Sequence, residues 1–123
     1  MKKTKMLKKN YEFRKVLTKG KYYSGKYIEA FILKNNEKYN LLGLAISVKS
    51  AKAVKRNYIK RLIRENYKNI EETLATGYSI VFLWKKKADI QNAIYKNVKE
   101  DIEQIFNKSN IKINKENLWK KFL

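Results

Sequence analysis

LLGLAISVKSAKAVKRNYIKRLIRENYKN, residues 41–69, changes its repeat partway along, and that change decides the fold. From Leu41 to Val48 the side chains alternate, with Leu42, Leu44, Ile46 and Val48 on one face and Gly43, Ala45 and Ser47 on the other. This is the two-residue period of a strand. From about Ala51 to Asn69 the apolar residues recur at helical spacing instead. Downstream, Gly77 precedes YSIVFLW, whose apolar residues point to both faces as in a central strand. Upstream, residues 27–34 alternate, setting Ile28, Ala30 and Ile32 against Tyr27, Glu29, Phe31 and Leu33. The turn-like NNEKYN lies between this strand and the next, so the two are expected to pair as an antiparallel hairpin.

The flanks complete the pattern. LKKNYEFRKVLTKG, residues 7–20, places Phe13, Val16 and Leu17 at helical spacing, with Gly20 as the stop. Asp89 suits the N-cap of a helix carrying Ile94, Val98, Ile102, Ile105 and Phe106 on one stripe, and Leu118, Trp119 and Phe122 suggest a last short helix. The order helix, strand, strand, helix, strand, helix describes an α+β sandwich with a small mixed sheet. With 123 residues, no proline and no internal repeat, one domain over residues 1–123 is expected.

Composition narrows the chemistry. Thirty Lys and Arg against eleven Asp and Glu give a formal charge of +19, which calls for a polyanionic partner to offset self-repulsion. The chain is 44% hydrophobic, with two Trp, nine Tyr and five Phe, so it has enough apolar surface to fold. Cysteine and histidine are both absent, which excludes disulfides, thiolate metal sites and every catalytic triad built on His. The basic start is followed by no continuous apolar run of secretory type, and no apolar stretch is long enough for a membrane span. A cytoplasmic protein is expected.

Between Val48 and Lys68 eight basic residues face one acid, Glu65. At 100° per residue, Arg56, Asn57, Lys60, Arg61, Arg64 and Lys68 fall on one side of the helix, and Tyr58, Ile59, Leu62 and Ile63 on the other. Arg56, Lys60, Arg64 and Lys68 then stack along about 18 Å, a spacing suited to successive phosphates. Asn57 could touch a base edge or a metal-bound water, or could simply be a polar surface residue. Lys85, Lys86 and Lys87 read equally as a phosphate contact or as charges that limit edge pairing. Glu100, Asp101 and Glu103 read as solvated charges of the third helix.

KAVKRNYIKRLIRE, residues 52–65, resembles the Arg-Asn-Arg signature helix of the bacterial ribonuclease P protein subunit. LGLAISVKSAKAV before it is similar to that family's third-strand and turn segment, and LKKNYEFRKVLTKG to its N-terminal helix. The likeness weakens after about Lys87. It implies a two-layer α/β sandwich with a four-stranded mixed sheet and a left-handed βαβ crossover, similar to the second domain of ribosomal protein S5. It also implies partners: the catalytic RNA subunit and precursor tRNA, with the protein itself monomeric and Mg2+ held mainly by the RNA. Lys49, Lys52, Lys55, Arg56, Asn57, Lys60, Arg61 and Arg64 would contact that RNA or its metals, and the stripe adds Lys68. Phe13, Leu17, Phe31, Ile46 and Val48 would line or border a cleft for the single-stranded 5′ leader.

Three departures stand out. Tyr58 occupies the place of the signature's second Arg, Ala51 and Val48 replace a common Gly and Lys before the helix, and Leu17 and Phe31 stand where Phe and Tyr are frequent. Two rival functions remain open at this stage. A general or ribosomal RNA-binding protein fits the charge and periodicity equally. A metal-dependent nuclease would need converging carboxylates, and only the adjacent pairs Glu71/Glu72 and Glu100/Asp101 are present.

Overall fold

The computed structural model describes residues 1–113. Its order is β1 (Thr4–Met6), α1 (Asn10–Lys19), β2 (Lys21–Ser24), β3 (Ile28–Lys34), β4 (Asn40–Ala45), α2 (Ala53–Ile70), β5 (Tyr78–Trp84) and α3 (Tyr95–Ser109). The expected helix at Leu118, Trp119 and Phe122 lies outside the described residues. The class is α+β as expected, but the mixed sheet has five strands rather than four, in the order β1-β4-β5-β3-β2. The additions are the short edges. β1 offers only three residues, and β2 is Lys-Tyr-Tyr-Ser, too short for alternation to mark either one.

The expected hairpin does not form. β5 lies between β3 and β4, antiparallel to the first and parallel to the second. Its two apolar faces explain the insertion: Ile80, Phe82 and Trp84 enter one core, while Val81 and Leu83 face the other. Only a central position covers both. The Asn40 side chain holds the arrangement, since its Oδ1 accepts from Tyr78 N at 2.9 Å and its Nδ2 donates to Ala75 O at 3.0 Å. On the other side of the loop, Asn35 N donates to Gly77 O at 2.9 Å. Gly77 supplies the turn into β5 with φ of 96°, a conformation that a side chain disfavours.

α2 and α3 cover one face of the sheet. Ile59, Leu62, Ile63 and Tyr67 of α2 and Val98, Ile102, Ile105 and Phe106 of α3 are buried against Ile28, Ala30, Ile32, Leu42 and β5. Phe106 meets Phe82 edge-on at 5.8 Å between centroids, a favourable aromatic geometry. α1 lies on the opposite face, where Val16 and Leu7 bury Val81. Gly43 permits this approach: a Cβ there would stand 2.6 Å from Phe13 Cε1 and 2.9 Å from Leu7 Cδ1.

Two helix readings change. Asp89 accepts from Gln91 N at 2.9 Å and caps a single 3-10 turn, Ile90–Asn92, while α3 starts only at Tyr95. Ile94, expected on the buried stripe, therefore precedes the helix and is exposed. Asp101 is not solvated. It is 3% exposed and accepts from the backbone N–H groups of Lys26, Tyr27 and Ile28 at 2.9, 2.8 and 3.0 Å. The polar side of α3 thus begins beside Asp101, not on it.

Candidate nucleic-acid interface

α2 presents its cations because its other side is committed to the core. Ile59, Leu62, Ile63, Asn66 and Tyr67 are its buried residues, so the side opposite them faces solvent. Asn57, Arg61 and Lys68 are exposed on that side, and Arg64 and Lys60 are half-buried at its flank. Arg56 lies closer to the core and donates from a guanidinium nitrogen to Ala51 O at 2.7 Å, bracing the turn before the helix. Arg61 is 3.5 Å from Glu65, an exposed pair of small worth. Lys52 is the N-cap residue, the first turn holds no acid, and Lys49 is exposed in the preceding turn. Cationic side chains therefore gather at the positive end of the helix dipole, an arrangement that repels itself unless an anion is near.

Tyr58 is the correction on this helix. Expected with Ile59, Leu62 and Ile63, it is instead 36% exposed among the cations, with Lys55 Nζ at 4.9 Å and the Arg61 guanidinium at 5.8 Å from its ring centre. Its helical angle lies at the border of the two sides, where periodicity does not decide.

On the opposite face of the sheet, Phe13, Leu17 and Phe31 come together as half-buried residues around Leu7, Val16 and Val81, joined by Leu33, Leu41, Ala45 and Leu83. Phe31 also stands 5.2 Å from Tyr22, centroid to centroid. A hydrogen bond of 2.6 Å to Glu29 ties the Tyr22 hydroxyl and raises its pKa above the ordinary phenol value. The result is an apolar strip left only partly covered by α1. Ile46 does not join it. At 8% exposure it belongs to the core beneath α2 and α3, because its register follows Leu42 and Leu44 to that face. Val48 lies beyond the end of β4 and is 74% exposed, beside the basic turn rather than the strip. A recess of about 180 Å³ opens between α1 and the sheet at one end of this strip, sharing Leu7, Val16, Leu33 and Leu41 with it and adding Tyr11, Lys15 and Asn35.

One residue outside the expected site carries its frame. Tyr67, fully buried, hydrogen-bonds Thr4 at 2.7 Å and fastens α2 to the β1–β4 edge, and burial pushes its phenol pKa up. Its signal was its place in the stripe with Ile59, Leu62 and Ile63. Among the described residues, no three His, Cys, Asp or Glu side chains converge on a point that could hold a metal, and no helix is long and apolar enough to cross a membrane.

A family model described as Ribonuclease P matches residues 1–110. The ribonuclease P protein component of Clostridioides difficile strain 630 is 39% identical over 111 residues, which is 89% of this chain and 96% of that protein. The corresponding component from Clostridium botulinum strain Langeland is 37% identical over 106 residues, 85% of this chain and 94% of that one. Among solved structures, the ribonuclease P protein of Staphylococcus aureus matches with a TM-score of 0.76 at 23% identity, over 86% of this chain and 95% of that one. The ribonuclease P protein from Thermotoga maritima matches with a TM-score of 0.75 at 24% identity, over 85% and 96%. At these identities the two structures speak for the fold.

Proposed function

Because the chain belongs to the bacterial ribonuclease P protein component family, we propose that its α2 face binds the catalytic RNA and that its α1 face meets the 5′ leader of precursor tRNA. It is the protein part of an endoribonuclease ribonucleoprotein that matures the 5′ end of tRNA. The observation that carries the division of labour is the sidedness of the sheet. Cations lie on α2, which is fixed to one face, and the half-buried strip of Phe13, Leu17 and Phe31 lies on the other. A protein between these faces can hold a folded RNA through phosphates while an unpaired strand lies against apolar side chains.

In this reading Lys49, Lys52, Lys55, Lys60, Arg61, Arg64 and Lys68 neutralise phosphates, and Arg56 contributes mainly by bracing the turn that carries Lys49 and Lys52. Asn57 offers a neutral amide to a base edge or a hydrated ion. Phe13, Leu17 and Phe31 form the leader surface. Among the described residues no carboxylates converge into a divalent-ion cage, and in this reading the Mg2+ of phosphodiester hydrolysis is held mainly by the RNA. In this reading the protein itself is monomeric and works with the catalytic RNA in the cytoplasm.

The test is reconstitution. Protein freed of RNA, supplied with Mg2+ and precursor tRNA, is expected to leave the substrate intact, and adding the catalytic RNA from the same genome is expected to release the leader. Specific cleavage by the protein alone would overturn the assignment of chemistry to the RNA.

A further inference from the structure

The cationic side of α2 contains an apolar interruption that phosphate binding does not use. Val54 is 84% exposed, and Tyr58, one helical turn later, shows about a third of its surface. Residues four apart on a helix are neighbours, so the two side chains form one small patch. Half-buried Lys55 and exposed Arg61 flank it, each against the Tyr58 ring itself.

Resting on the reading of α2 as the RNA-binding helix, we infer that Tyr58, extended by Val54, is a stacking platform for one unpaired base of the partner RNA, while Lys55 and Arg61 hold the phosphates to either side. Two side chains are too small a surface for a protein interface, which takes about 800 Å² from each partner. A single base face matches them in size. A paired helix would present only backbone and groove edges to this side of α2, with no aromatic face for Tyr58 to meet. Cations at the ring suit the same occupant, because a base and its flanking phosphates bring π surface and negative charge together. The family's usual Arg at this position would offer a charge where this chain offers a ring.

Binding of the catalytic RNA measured over a salt series separates the ring from its neighbours. Tyr58→Phe is expected to bind within about twofold of the parent, because the ring suffices. Tyr58→Ala is expected to bind roughly 5- to 100-fold more weakly, with the slope of log affinity against log salt unchanged. Arg64→Ala is expected to lower that slope by up to about one. The base that stacks is expected to gain chemical reactivity in the Tyr58→Ala complex. If Tyr58→Ala binds like the parent while Arg64→Ala weakens binding, the platform is refuted and the RNA face stands. If Tyr58→Ala weakens binding by flattening the slope, the ring only positions Lys55 and Arg61, and the platform is again refuted. If neither change alters binding, the reading of α2 itself fails.

Discussion

Asp101→Ala should be among the most damaging single changes outside the aromatic core, although the residue carries a charge on a helix full of charges. Its carboxylate is the acceptor for three consecutive backbone N–H groups at 2.8–3.0 Å, and it is the point where α3 holds the turn from β2 into β3. Lys26 is exposed, so its N–H can recover a water. Ile28 is fully buried and Tyr27 half-buried, so theirs are left unpaired. An orphaned buried donor costs about 1–3 kcal/mol. Two of them, with the small void, give about 3–5 kcal/mol, a large share of a stability of about 5–15 kcal/mol. The melting temperature should fall by more than about 12 °C. Asp101→Asn is the control. One carboxylate oxygen, Oδ2, serves both Tyr27 and Ile28, so an amide oxygen in its place keeps two bonds and turns its NH2 only toward Lys26. Its cost should be about 1–2 kcal/mol. Thermal and urea unfolding followed by circular dichroism measure both. An Asp101→Ala protein that melts within about 3 °C of the parent, or an Asn variant as damaged as the Ala variant, would refute the reasoning.

Two functional predictions follow from the opposite faces of the sheet. Phe31 is half-buried, so Phe31→Leu should keep its contact with the strip at a cost below about 1.5 kcal/mol. The holoenzyme's preference for precursor over mature tRNA should fall by about 1–3 kcal/mol, and an unchanged preference in competition binding would take Phe31 out of the leader surface. The double change Arg61→Glu and Arg64→Glu should leave melting nearly unaltered while weakening association with the catalytic RNA. If about five of the assigned cations each neutralise a phosphate at the same time, the log–log salt slope of the parent should be near −3.5 to −4.5 and that of the variant shallower, whereas equal slopes in a filter-binding series would place the RNA elsewhere.

The class of fold, the three main strands and α1 and α2 were legible because each repeats its period for long enough to count. The pairing was not. Alternation in β3 and β4 says that each has a buried face, but it carries no term for which neighbour will satisfy it, and the short loop favoured a hairpin. The decisive information lay in β5, whose two apolar faces demand the centre of the sheet. Of the candidate site, the cations of α2 and the trio Phe13, Leu17 and Phe31 follow from periodicity and from the family likeness together. Ile46 was legible as core, since it shares a face with Leu42, and the likeness drew it toward the cleft against that parity. Asp101 was legible in another sense: it stands on the stripe of Val98, Ile102 and Ile105, and a carboxylate in such a place implies donors reaching it from another element. Tyr58 lies where the two sides of the helix meet, so its direction is set by packing rather than by angle.

The central place of β5 also dictates the order in which the molecule can be assembled. Both of its partners precede it in the chain, at residues 28–34 and 40–45, and neither bonds to the other. Until residue 84 is available, β3 and β4 are two separated strands, each with a row of unanswered backbone groups along one edge and apolar residues on both faces. The helix that carries the cationic stripe rests on that unfinished surface. Closure therefore depends on contacts far apart in sequence, the kind of pairing that slows folding relative to local contacts. With a formal charge of +19 on the chain, a polyanion near α2 would reduce the charge repulsion that this closure has to overcome.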